Sequence, residues 1–209
     1  MKRSKHNYRI YNGKIIKKAF ENSRIYIMAI IFAVGIISGA ILLSAETGVP
    51  ERISDIIEEF EIFRSENGVL KNFINSLSVN ILFIIINMFL GFSLIGYPFL
   101  LIIPFFRGLG IGVICGYLYS VHRLTGLLYS LMIIYPAEII SVLALMYACN
   151  SSCEYSKNAF YKSIQGRGQF EKNETQIYLC KQFIYIAVCI VSAFIDTLFS
   201  KMFSGLFEI

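Results

Sequence analysis

Three ionisable residues, Arg107, Glu138 and Asp196, interrupt runs that are otherwise apolar. A charge placed in hydrocarbon is costly, so each marks either a buried pair or a functional path. Arg107 and Glu138 fall at similar depths. Arg107 lies about 12 Å, and Glu138 about 15 Å, from the same end of their segments at 1.5 Å per residue. An intramembrane pair between them is the expectation. Asp196 lies nearer the far end of the last segment, within reach of Arg123 or Lys201. The two carboxylates therefore sit at different depths, which does not suit acid–base catalysis. No histidine-rich helix, protease signature or glycine-rich phosphate loop accompanies them. No catalytic residue is expected, and the chain reads as a non-enzyme.

Metal chemistry fares no better. Cys149 and Cys153 share one helical face, but four-residue spacing is not that of a zinc ribbon and no histidine stands near. Cys115 and Cys189 fall inside apolar runs, where a thiol acts as a small hydrophobe. The five cysteines, Cys180 included, read as structural thiols, with no metal and no cofactor.

The charged pair needs polar neighbours, and one segment offers them. Ser76, Asn80, Asn87 and Gly91 lie within about 60° of one another at 100° per residue. Amides in hydrocarbon need hydrogen-bond partners, so this stripe should face other helices. Gly108, Gly112 and Gly116 form a second stripe, and Gly35 with Gly39 a shorter one. Small residues at this spacing let helix backbones approach closely where lipid offers no hydrophobic drive.

The elements that position these residues follow from composition. Of 209 residues, 56% are hydrophobic and only 16% charged, too few charges to clothe a soluble domain. The expected fold is all-α, a polytopic transmembrane helical bundle of about five spans in one membrane domain of residues 1–209. A basic arm, 1–24, sets eight basic residues against Glu21 alone. Transmembrane orientation explains that arm more simply than nucleic-acid binding. The spans are read as 25–45, 74–95, 99–121, 126–148 and 182–203. The first is long enough to be a retained anchor, since about twenty apolar residues cross a bilayer. The uncharged run 73–106 is too long for one span and is cut at Gly96-Tyr97-Pro98, because proline lacks a backbone donor.

Residues 46–71 are acidic, with seven acids against three bases. Ile53, Ile56, Ile57, Phe60 and Phe63 recur there at helical spacing, predicting a short amphipathic interfacial helix. The polar stretch 150–181 is read as a basic loop. Five crossings then put the N-terminus in the cytoplasm and the acidic loop and C-terminus outside.

The runs VGIISGAILL, GYPFLLIIPFFRGLGIGVICGYL and GLLYSLMIIYPAEI resemble the stage II sporulation protein M family, most specifically across 91–138. Where the broader family tends to carry a glutamate after the segment-four proline, this chain has Ser141, with Glu138 preceding it. The resemblance implies a multi-pass cell-membrane scaffold for peptidoglycan-degrading partners in septal wall thinning and engulfment during endospore formation. Its partners would be membrane lipid and other membrane-anchored sporulation proteins. Glu58, Glu59 and Glu61, on the acidic outer helix, are the expected docking residues. A permease subunit, using the polar stripe with Arg107 and Glu138 as a pathway, is the alternative, as is a family member outside sporulation.

Overall fold

The computed structural model describes residues 23–43, 69–165 and 172–203. Among these, helices account for nearly every residue and no strand occurs. The order is α1 (Ser23–Leu43), α2 (Val69–Phe92), α3 (Gly96–Tyr129), a π-helical turn (Ser130–Ile134), α4 (Tyr135–Ile164) and α5 (Lys172–Phe203). Four helical stretches are long and apolar enough to cross a membrane. The third, Gly96–Ile164, is not one rod. Arg123 inside it has φ 50° and ψ −123°, in the left-handed half of conformational space. The chain reverses there, so the described residues form five rods.

Contacts at the rod ends give the topology. Arg24 at the start of α1 lies 4.0 Å from Glu154 in the later half of α4. Ser93, just after α2, accepts a 2.6 Å hydrogen bond at its carbonyl from Ser156. Tyr178 early in α5 meets Ser152 at 2.8 Å. The starts of α1, α3 and α5 therefore share one side of the bundle with the ends of α2 and α4. The reversal at Arg123 occupies the other.

The glycine stripes find each other. A Cβ on Gly39 would stand 2.9 Å from Val113 N, and one on Gly112 would stand 3.0 Å from Ile36 Cα. Phe32 meets Gly108, Ile36 meets Gly112 and Ala40 meets Gly116. Both chains advance by four in the same sense, so α1 and α3 run parallel along a seam of small residues. That close approach supplies the van der Waals contact that lipid cannot.

Two boundaries differ from expectation. The break between the second and third rods falls at Ser93–Ile95, before Gly96-Tyr97-Pro98 rather than at it. Pro98 instead occupies the first turn of α3, where an N–H would have had no intrahelical partner, so its absence costs nothing. The stretch 150–181, expected as a loop, is a larger correction. α4 continues to Ile164 and α5 begins at Lys172, which makes most of it helical. Its polar residues are not loop residues, because Ser151, Ser152, Tyr155, Ser156 and Tyr178 are buried and hydrogen-bonded between helices. The expected amphipathic helix of 46–71, with Glu58, Glu59 and Glu61, lies outside the described residues.

Met28, Ile84, Leu100, Ile111, Leu145, Cys149 and Cys189 pack together at the centre of the bundle. The exterior is apolar too. Ile30, Leu82, Phe89, Leu124 and Phe183 are each more than half exposed. A soluble protein rarely shows so much apolar surface, whereas lipid solvates it without penalty. The chain is a multi-pass membrane protein.

Candidate functional site

The polar groups of the interior gather in two layers. The first centres on Arg107, 8% exposed on α3. One guanidinium nitrogen, Nη2, donates to Glu138 Oε2 at 2.6 Å and Oε1 at 2.7 Å. The same nitrogen reaches Asn80 Oδ1 on α2 at 2.8 Å. Ser141 Oγ, one turn beyond Glu138, donates to Glu138 Oε2 at 3.0 Å. The Arg107 guanidinium also stands 5.5 Å from the centre of the Phe83 ring. Three rods, α2, α3 and α4, are thus tied through one buried cation.

Local sequence sets this arrangement. Pro136 cannot donate to the carbonyl one turn back, and the π-helical turn Ser130–Ile134 directly precedes it. Such a turn shifts the register of the residues that follow. Glu138 follows two residues after Pro136, well inside the rod that starts beyond Arg123 and level with Arg107. The Arg107–Glu138 contact joins two charges, either of which would be costly to bury alone.

The second layer lies toward the side where α5 begins. Asn87 Nδ2 donates to Gln182 Oε1 at 3.4 Å. Gln182 Nε2 in turn donates to Ser152 Oγ at 3.0 Å and Ser151 Oγ at 3.2 Å. Ser152 meets the Tyr178 hydroxyl, which also reaches Met88 O at 3.3 Å. Gly91 is small because Tyr178 crosses it: an added Cβ would come within 3.0 Å of Tyr178 Cζ and 3.2 Å of Ser152 Cβ. Tyr178 stacks on Tyr155, their centroids 4.3 Å apart, and Phe92 sets its ring edge-on to both.

Of the residues singled out from sequence, Arg107, Glu138 and Asn80 meet in the first layer, and Asn87 and Gly91 belong to the second. Ser76 is half-buried one turn before Asn80. Gly108, Gly112 and Gly116 lie in the α1 seam. Asp196 is half-buried on α5, one turn past Ser192, whose hydroxyl donates to Ala137 O at 2.7 Å. That places it about 6 Å along the axis from the Glu138 level. Cys115, Cys149, Cys153 and Cys189 are buried free thiols and Cys180 is exposed.

Sequence reasoning missed Gln182, Ser152, Ser156 and Tyr178. Their signal was present: Ser152 with Ser156, and Tyr178 with Gln182, each stand four apart on a single helix face. Assigning 150–181 to a loop hid it.

A cavity of about 240 Å³ adjoins the first layer, between α1, α3 and α4. Its walls are apolar side chains such as Phe32, Ile111, Ile139 and Met146, with Glu138 and the Tyr135 ring at one edge. Arg107, Asn80 and Asn87 are not part of its lining. Most polar groups of the two layers bond to one another, although Asn87 Oδ1 is buried without a hydrogen-bond partner among the described residues. This arrangement fastens helices.

Residues 28–201 match the family described as Stage II sporulation protein M. No curated protein and no solved structure matches the chain.

Proposed function

Because the chain belongs to the stage II sporulation protein M family, a family of sporulation-related membrane proteins, we propose that it acts as a non-enzymatic membrane scaffold. It would hold peptidoglycan-degrading proteins at the septum while the septal wall thins and engulfment proceeds. The observation that carries this reading is the family match across most of the chain. The interior adds physical support. A permease would be expected to line an open path with its polar groups, whereas here Arg107, Glu138, Asn80, Asn87 and Gln182 bond to one another. A rigid bundle of this kind suits a part that holds others in place.

Orientation follows from charge. The basic arm 1–24 belongs in the cytoplasm and the acidic stretch 46–71 outside, toward the wall. Docking is assigned to Glu58, Glu59 and Glu61 on the outer side.

Deleting the gene in a sporulating host tests the reading. Engulfment should stall after the septum forms, with the septal wall left thick and the partner hydrolases dispersed. Reversing Glu58, Glu59 and Glu61 to lysine should reproduce part of that defect while the protein still inserts. Normal engulfment with correctly localised hydrolases in the deletion strain would end the scaffold reading.

A further inference from the structure

A second cavity, of about 200 Å³, opens between α4 and α5 on the side where α5 begins. It is lined by Ser151, Glu154, Tyr155 and Asn158 from α4 and by Glu174, Ile177, Tyr178 and Lys181 from α5. Its character is opposite to that of the apolar cavity beside Glu138, since both signs of charge face one small space.

Its position along the helices is informative. The apolar run of α4 ends at Ala148, one turn before Ser151, and that of α5 starts at Phe183, two residues after Lys181. The cavity therefore lies where both rods leave the hydrocarbon, the level of lipid headgroups. Its floor is built. Tyr155 and Tyr178 are 7% and 3% exposed and stacked on each other. The Tyr155 hydroxyl meets Thr175 at 2.7 Å, and Ser151 accepts from Gln182. Above that floor the charges differ in state. Glu174 is paired with Lys162 at 2.7 Å, and Glu154 lies 4.0 Å from Arg24. A carboxylate carries lone pairs for several donors at once. Lys181 is exposed and forms no ion pair among the described residues.

The geometry points to a binding site for a zwitterion that joins a primary ammonium to a phosphate, the headgroup chemistry of an aminophospholipid. The phosphate would take Lys181 and the Asn158 amide. The ammonium would donate to Glu154 and Glu174. A purely anionic group would meet two carboxylates, and a quaternary ammonium has no N–H to give them. This inference stands apart from the scaffold reading.

Native mass spectrometry of the full-length, delipidated chain tests it. The chain is offered an equal mixture of phosphatidylethanolamine, phosphatidylcholine and phosphatidylglycerol with identical acyl chains. Phosphatidylethanolamine should be retained about tenfold over either competitor, the discrimination expected of charge-assisted hydrogen bonds. Lys181→Gln and Glu174→Gln should each remove most of that preference, and Lys201→Gln, at the opposite end of α5, should leave it intact. Both test positions are solvent-accessible, and circular dichroism verifies that the variants remain folded. Glycerophosphoethanolamine separates the sources. Competition only against bound lipid identifies a lipid site, while equal occupancy without lipid identifies a soluble ligand of the same chemistry. Equal retention of the three lipids, or a preference that survives both substitutions, overturns the proposal.

Discussion

Arg107 and Glu138 stand 31 positions apart in the chain and 2.6 Å apart in space. A continuous helix would separate them by about 46 Å. The reversal at Arg123 lies almost midway between them, which folds equal lengths of α3 and α4 back onto one another. The pair therefore fixes the register of that hairpin.

That relationship sets a test of the pair itself. Glu138→Leu leaves a guanidinium in apolar surroundings with only Asn80 and Ser141 as acceptors, at a cost of about 3–5 kcal/mol. Arg107→Leu should be comparably harmful. The double substitution removes both charges and should recover much of the loss, as apolar replacements of buried pairs do. Membrane levels and thermal stability in detergent measure this. A double variant whose loss equals the sum of the two single losses would show that the charges act independently.

The glycine seam makes a contrast within one helix. Gly112→Ala should part α1 from α3, because its Cβ meets the backbone of Ile36, which cannot give way. Gly110→Ala, two residues earlier, has nothing within 4 Å of the new Cβ. It should be neutral or stabilise by up to about 1 kcal/mol through helix propensity. Thermal unfolding of the two variants side by side checks the seam, and a harmless Gly112→Ala would refute it.

In the second layer, Gln182→Leu strands the Asn87 amide and removes the donor to Ser151 and Ser152. A loss of about 2–4 kcal/mol is expected from several buried groups left unpaired. Tyr178→Phe keeps the stack on Tyr155 and loses the hydroxyl alone, so it should cost about 1–2 kcal/mol. The ordering of the two variants is the result to measure. Reversal of that order would show that the Tyr178 hydroxyl, rather than the amide, holds the layer together.

Topology can be read by chemistry at two engineered thiols. With the native cysteines replaced, Glu58→Cys should react with an impermeant reagent in intact cells and Lys162→Cys only after permeabilisation. Cys180 needs replacing above all, being exposed. The opposite pattern would invert the bundle.

Much of the bundle was legible because hydrocarbon simplifies the reading. Long uncharged runs can only be helices, and glycines four apart in two of them pointed to a close seam. Arg107 and Glu138 were legible as a pair because depth follows from a fixed rise per residue. Asn80 as the third member was visible only as part of a stripe, since its partner depends on how α2 rotates against α3. The failure at 150–181 has a physical cause. Lys157, Lys162, Lys172 and Lys181 look like loop residues because charge is ordinarily read as exposure. Here the helices simply continue, with their charges on one face and Ser152, Ser156, Tyr178 and Gln182 on the other. Ser141 shows the same dependence on geometry. The resemblance places a glutamate at that position, and Glu138, one turn earlier, sends its carboxylate to within 3.0 Å of the Ser141 hydroxyl.

The parallel seam between α1 and α3 has a consequence for biogenesis. The first rod does not find its main small-residue partner in the next rod to be made. Gly35 pairs with a surface around Phe105 and Leu109, and Gly39 with Leu109 to Val113. A ribosome adding about 5–20 residues per second reaches that surface roughly 4–15 s after it has made Gly35. During that interval α1 stands in the bilayer with its glycine face open to lipid or to any other helix with small residues. Assembly of the bundle is therefore post-insertional at its first rod, and the exposure ends only when α3 arrives to close it.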